Sequence, residues 1–278
     1  MAALGRALIG LIEASLRIEL DDCGVTPIGP GHDTGWRTLP GCVVAAVTGA
    51  DGEFERRGAP TIPMPAGGCL IVPPLVFHRG HVTGTRGGVS RWSLFQARIF
   101  TSVDVLGLYR VPDVIHGAAA TRLGDLNEEL VACGAADLGA VVRRQEVLHR
   151  ILRAVVDQAT PRDDGLALLG HAERLAPVLA HIDAHLARPL SRAGLARLAG
   201  LSPSRFHAVF RAATGAAPLD YILRQRIQRA QRLLLTSGCG IQDIAAAVGF
   251  ADPFHFSRLF RRRCGQSPSA YRAGAERA

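Results

Sequence analysis

The chain has 278 residues, enough for two domains, and a formal charge of +8, with every one of its 32 basic residues an arginine. Six cysteines (Cys23, Cys42, Cys69, Cys133, Cys239, Cys264) occur without any C-x-x-C. In a chain of this length that excludes a disulfide-stapled miniprotein and points to reduced thiols in the cytosol. The apolar run Leu8 to Ile12 is stopped by Glu13, so no secretory signal is read at the start, and no stretch reaches the ~20 apolar residues of a membrane span. From Arg17 to about Phe100 the hydrophobic period is that of strands. Gly24 to Gly35, rich in Gly and Pro, reads as turns. Cys42 to Val47 is a strand, Ala50-Asp51-Gly52-Glu53 a hairpin turn, and Phe54 to Arg57 the return strand, because Asp-Gly tolerates the φ > 0 of a type I′ turn. Cys69 to Val72, closed by Pro73-Pro74, and Arg91 to Phe100 are further strands. Short strands with Gly/Pro punctuation suggest a small barrel or sandwich.

The stretch Gly67-Gly68-Cys69-Leu70-Ile71-Val72-Pro73-Pro74, followed by His78, resembles the central turn of a cupin barrel. Cupin enzymes hold a metal with histidines and a carboxylate. Here His78 and His81 are three apart rather than two, and no Asp or Glu occurs between Glu55 and Asp104. A 2-His-1-carboxylate set therefore has no nearby carboxylate, and neither metal nor cofactor is expected. The same window holds Arg56, Arg57, Arg79, Arg86, Arg91 and Arg98. A guanidinium fork suits an anionic or carboxylate-bearing small molecule. The candidate effector-binding residues are Trp36, His78, Arg79, His81, Arg91 and Trp92. Solvated arginines on outer strand faces, and tryptophans that with Phe95 are plain core, are the competing reading.

Leu138 to Val156 returns to a helical period, with Leu138, Val141, Val142, Leu148, Ile151, Leu152, Val155 and Val156 on one side. Two explanations compete: the helix packs on the barrel, or it pairs with its symmetry mate in a homodimer. Thr160 to Gly165 is a turn-rich linker. His181 and His185 stand at i,i+4, a spacing that can bind zinc, but no third ligand is evident.

Past the linker, one pattern is written twice. Pro203, Phe206, Phe210, Arg211, Gly215, Pro218 and Tyr221 recur fifty residues later as Pro253, Phe256, Phe260, Arg261, Gly265, Pro268 and Tyr271. A repeat in register implies two copies of one supersecondary unit. Each copy reads as helix, turn, helix. Leu195, Leu198 and Ala199 mark the first helix, Gly200-Leu201 the turn, and Ser202-Pro203 the start of the second helix. Phe206, Val209 and Phe210 form its buried stripe, leaving Ser204, His207, Ala208 and Arg211 outward. In the second copy Ile241, Ile244, Ala245 and Val248 precede Gly249-Phe250 and an Asp252-Pro253 start. Phe256, Leu259 and Phe260 face inward there; Phe254, Ser257, Arg258, Arg261 and Arg262 face outward. Pro218 to Thr236 is a connecting helix, with Asp220 and Arg224 as an i,i+4 pair. From Glu173 onward 16 arginines meet 6 acids, whereas before it 16 meet 18. Basicity concentrated on the repeat is the footprint of a DNA-binding module.

On the run Ala245 to Phe260, on Gly265-Gln266-Ser267-Pro268 with Tyr271, and on the weaker first copy, the chain resembles the AraC/XylS family of bacterial transcription regulators. The resemblance covers about the last hundred residues. It implies that Ser204, His207, Ala208 and Arg211, and then Pro253, Phe254, Ser257 and Arg258, occupy groove-facing positions, with Arg261 and Arg262 alongside. The small Ser204 and Ala208 depart from the larger polar residues the family often places there. The fold expected is a two-domain α+β chain: a cupin-like sensor barrel (1–115), a helical connector (116–172) and an all-α double helix-turn-helix DNA-binding domain (173–278). Many members of the family carry such a barrel as effector domain. The expected partners are operator DNA, a small-molecule effector, RNA polymerase and a second copy of the chain, with activation favoured over repression. A cupin-type metalloenzyme with an appended DNA-binding tail, and a nonspecific architectural DNA binder, are the alternatives.

Overall fold

The computed structural model describes residues 6–99, 103–134, 137–163, 165–214 and 216–275. After α1 (Arg6–Ser15) come β1 (Arg17–Ile28), β2 (Cys42–Thr48), β3 (Gly52–Arg56), β4 (Ile62–Met64), β5 (Cys69–Val72), β6 (His78–Val82), β7 (Gly88–Ile99), β8 (Val103–Asp104), β9 (Tyr109–Arg110) and β10 (Val114–Ile115). β1-β7-β2-β5-β10, with β8 beside β7, make a six-stranded sheet, and β4-β3-β6 a three-stranded one. Alternation along each strand sends successive residues to opposite faces. Val43, Val47, Val72 and Leu94 therefore meet Phe54, Met64 and Val82 of the smaller sheet. On the opposite face Val44, Ala46, Ile71, Phe95 and Ala97 pack against α2 (Gly117–Ala132) and α3 (Leu138–Val156). Asn127 of α2, fully buried, donates to the carbonyls of Val44 (3.0 Å) and Arg91 (2.9 Å) and pins the helix to the sheet. Among the described residues the two sheets share no strand pairing, and the isolated bridges Asp33 to His81 and Arg37 to His78 tie the β1–β2 connection to β6, so the expected barrel is an open pair of sheets.

Several local expectations are corrected. Ala50 to Glu53 does not make a hairpin: β2 pairs with β5 and β7, while β3 pairs with β4 and β6. The turn is a corner between sheets, held by the Asp51 carboxylate accepting from Ala66 N–H (2.8 Å) and the Asp51 carbonyl accepting from Thr83 N–H (3.1 Å). Gly52 is there for closeness rather than for φ, since a Cβ would lie 2.6 Å from the His81 carbonyl oxygen. Gly24 to Ile28 is strand, not turn, because Gly24 makes room for the Trp92 ring on its neighbour β7. Of the linker Thr160 to Gly165, Thr160–Pro161 (β11) pairs with β9, and Asp164 lies outside the described residues, as do Phe100 and Gly215. In α3 the apolar side splits. Val147, Leu148, Ile151, Leu152 and Val155 are buried on the first half of the molecule, while Leu138, Val141 and Val142 are exposed.

The second half is all helix: α4 (Gly165–Ala184), α5 (Arg192–Leu198), α6 (Pro203–Thr214), α7 (Pro218–Thr236), α8 (Ile241–Ala247), α9 (Pro253–Cys264) and α10 (Pro268–Ala275). α4 runs through the boundary expected between 172 and 173. Two cores form, and α7 belongs to both: Tyr221 and Ile222 join the first, Ile227, Ala230 and Leu234 the second. α7 is also where the halves meet. The amides of Gln228 and Gln231, both buried, donate to the carbonyls of Pro40 (3.2 Å) and Thr38 (3.1 Å). Arg232 lies 2.7 Å from Glu19 and 3.0 Å from Asp21, whose side chain is 1% exposed. Burial pushes the Asp21 carboxyl up despite this arginine. Leu39 and Leu235 pack against both the inter-sheet core and the second helical core.

His78, 3% exposed, points inward, and its Nδ1 donates to the Val76 carbonyl (2.8 Å). Burial lowers its pKa from 6.5 to about 4, with Arg37 adding to the shift. The unfolded chain thus holds this proton more tightly. The stability that neutral His78 contributes is complete above pH 6.5 and is lost as pH falls toward 4. Asp104, raised to about 6 by burial, acts with the opposite sign. Urea unfolding at pH 6.5 and pH 4 should show wild type losing on the order of 3 kcal/mol more than His78→Gln across that interval. Equal losses would place the ring's titration elsewhere.

Candidate nucleic-acid interface

The two helix-turn-helix units are built alike down to their ring geometry. Phe206 and Phe210 lie 5.3 Å apart at 57°, and Phe256 and Phe260 lie 5.6 Å apart at 57°. Tyr221 then meets Phe210 edge-on at 5.3 Å and 81°, and Tyr271 meets Phe260 at 5.4 Å and 85°. Each first helix ends the same way. Leu201 N–H reaches the Ala196 carbonyl and Phe250 N–H the Ala245 carbonyl, with Gly200 (φ 64°) and Gly249 (φ 88°) in the left-handed turn. This is the Schellman ending that glycine permits. These turns correspond at a spacing of 49, and the strict fifty begins only with the reading helices. In α5 the buried residues are Leu195 and Ala196, while Leu198 is exposed, a correction to the stripe expected there.

Deep burial of the phenylalanines leaves the other helix faces to solvent. On α6, Ser204, Ala208 and Arg211 are exposed and His207 is half-buried. A recess of about 280 Å³ opens beside that face between Arg192, Pro203, Ser204 and His207. On α9, Pro253 and Ser257 are half-buried, whereas Phe254, Arg258, Arg261 and Arg262 are exposed. The α9 start is firmer, since the Asp252 carboxylate accepts from Phe254 N–H at 2.8 Å while Ser202 Oγ accepts from Arg205 N–H at 3.4 Å. Arg258 is 4.0 Å from Asp252 and 73% exposed, free to reach a partner.

A residue the sequence did not flag holds the two units together. Arg226, on α7, donates from Nε to the Leu186 carbonyl (3.0 Å), from one terminal nitrogen to Gly249 (2.9 Å) and from the other to Arg188 (3.0 Å). Its guanidinium also stands 5.7 Å from the Phe250 ring centre. It bridges the chain just after α4 and the turn that launches α9. Asp220 takes Arg224 (2.9 Å), as expected, and also Arg263 of α9 (2.5 Å).

The six candidate effector residues are not gathered in one cavity. His78 is sealed against Phe54. Arg79 pairs with Asp33 (2.6 Å), and Arg91 with Glu128 of α2 (2.8 Å). Trp36 stacks on Phe77, and Trp92 donates to Thr26 Oγ1 (2.9 Å). His81 has carboxylate neighbours that linear distance concealed: β3–β6 pairing brings Glu53 to 3.3 Å and Glu55 to 3.5 Å. His185 Nδ1 bonds the His181 carbonyl (3.0 Å), which ties the i,i+4 pair into its own helix. Among the described residues no group of three or more His, Cys, Asp or Glu is placed to hold a metal ion. A separate cleft of about 290 Å³ lies where α7 meets β1 and β7, lined by Arg17, Glu19, Gln96, Arg98, Arg229 and Arg232 among others.

Residues 195–274 match a family model described as a helix-turn-helix domain. The HTH-type transcriptional regulator GlxA of Rhizobium meliloti is 38% identical over 122 residues, spanning 43% of this chain and 37% of that protein. The arabinose operon regulatory protein of Escherichia coli is 27% identical over 252 residues, 86% of this chain and 82% of that one. Among solved structures, ToxT of Vibrio cholerae bound to an unsaturated fatty acid covers 93% of this chain with a TM-score of 0.56 and 12% identity, which shows a common two-part fold. The repeated reading units, their shared core geometry and these likenesses together make residues 195–274 a helix-turn-helix DNA-binding domain and make the chain similar to AraC-type transcription regulators.

Proposed function

We propose that this regulator activates transcription in the cytoplasm as a homodimer, in response to an anionic small molecule, with α6 and α9 in successive major grooves of its operator. The observation that carries the reading is the doubled exposed face on a single strut. The 19 residues of α7 span roughly 28 Å at the α-helical rise, close to the ~34 Å between major-groove openings on one side of B-DNA. Ser204, His207, Ala208 and Arg211 read one half-site, and Pro253, Phe254, Ser257 and Arg258 the other. Arg261 and Arg262 take phosphates. Activation is what several relatives' names state of them, among them the transcriptional activator NphR of Rhodococcus.

The effector belongs at the seam. Gln96 and Arg98 continue the face of β7 that carries Leu94 into the core between the sheets, and the seam cleft adds Arg17, Arg229 and Arg232. Guanidinium groups so placed suit a carboxylate, and a ligand there would touch both the sensor half and the strut. On this reading the cleft binds its ligand without transforming it. Pairing of two copies is supported by Val131, Leu138, Val141 and Val142, which are 37%, 79%, 40% and 61% exposed at the meeting of α2 and α3.

Selection of bound sequences from random DNA at fixed salt, with and without carboxylic acids, tests the whole reading. It should return two spaced half-sites whose recovery changes with the acid. Arg258→Ala should cost ~1–3 kcal/mol and relax preference at one base position; uniform weakening on all DNAs would assign it to phosphate. Arg226→Ala should keep each unit folded yet loosen their mutual pose. Affinity for wild-type spacing should then drop several-fold, and the penalty for a changed half-site spacing should shrink. Val142→Glu should shift sedimentation toward the monomer, and an unchanged profile would remove this patch from the dimer contact.

A further inference from the structure

Phe254 is the odd phenylalanine of the DNA-binding half. Phe206, Phe210, Phe256 and Phe260 are fully buried and Phe250 is 6% exposed, whereas Phe254 is 76% exposed and belongs to neither helical core. It is the second residue of α9, its N–H fixed by the Asp252 carboxylate, at the end of a reading helix that enters the groove first. Arg258 follows at i+4 on the same face, with Arg261 and Arg262 exposed beyond it. The first unit has no aromatic ring at that place, since Ser204 stands at the equivalent position fifty residues earlier.

In the major groove the one apolar group a base edge presents is the 5-methyl of thymine, which 5-methylcytosine shares, while guanine offers O6 and N7 to a guanidinium. We infer that Phe254 reads a pyrimidine 5-methyl group, one or two base pairs from the guanine taken by Arg258, in the half-site of the second unit. The inference rests on the proposed placement of α9 in the major groove. Four residues separate the two side chains, about 6 Å along the axis, which matches one to two steps of the duplex at ~3.4 Å each.

Thymine-to-uracil exchange deletes only that methyl. The test uses the full-length protein and a selected operator with single uracil substitutions. One position in the α9 half-site should lose about four-fold, the equivalent of one buried methyl. Phe254→Ala should bind the thymine and uracil operators equally, and an unchanged melting temperature would show that it folds. Placing 5-methylcytosine at that position should restore part of the loss seen with cytosine in wild type but not in Phe254→Ala. The inference is overturned if no uracil in the α9 half-site weakens wild type, or if Phe254→Ala keeps the same thymine preference. A failure to select any sequence over random DNA would instead overturn the groove placement beneath it.

Discussion

One guanidinium decides how the two reading units face each other. A carbonyl at the end of a helix carries partial negative charge and lacks an intrahelical partner. Arg226 meets such groups after α4 and in the turn before α9, using its planar fan of donors on three oxygens at once. Lysine could not do this, being a point charge on a flexible stem. The contact is half-buried, and burial lowers the arginine's pKa, a cost that the hydrogen bonds to the three carbonyls offset. With α7 already sharing its apolar residues between both cores, this polar fastening turns two small units into one rigid reading head.

The same helix carries the connection to the sheet half, made in different chemistry. Gln228, Gln231 and Arg232 follow one another along α7 and engage Pro40, Thr38, Glu19 and Asp21. Buried polar seams of this kind contribute little net stability, because desolvation offsets most of the attraction, and their attested use is in fixing one arrangement over others. Leu39 and Leu235 supply the apolar share by packing into the cores on both sides. The sheet half therefore contacts the strut directly, without an intervening linker.

The parts of this architecture legible in the sequence were those governed by local period. The bounds read for Leu138–Val156 and Pro218–Thr236 coincide with α3 and α7, and the phenylalanine stripes of the reading helices are the buried ones. α2 also had a signal, Leu123, Leu126 and Leu130 at helical spacing, all now buried, but no capping side chain announced its start. The hairpin at Asp51-Gly52 was misread because a favourable turn pair says nothing about which strands it joins. There the glycine serves a close backbone approach across sheets. Arg226 left no local trace at all: its acceptors are carbonyls 23 to 40 residues away, belonging to any residue type. The Glu53 and Glu55 neighbours of His81 were hidden for the same reason, since strand pairing rather than chain distance brings them close.

Both amides of the seam reach main-chain oxygens, those of Thr38 and Pro40, with Thr38 Oγ1 a further acceptor for Gln231 (3.2 Å). Every residue carries such a main-chain oxygen, so this part of the grip depends on the path of the segment more than on its composition. On the proposed reading, side chains around the seam cleft can drift, and with them the compounds bound, while the contact with the strut persists. A lineage descending from this scaffold could thus acquire new chemical inputs without rebuilding the output.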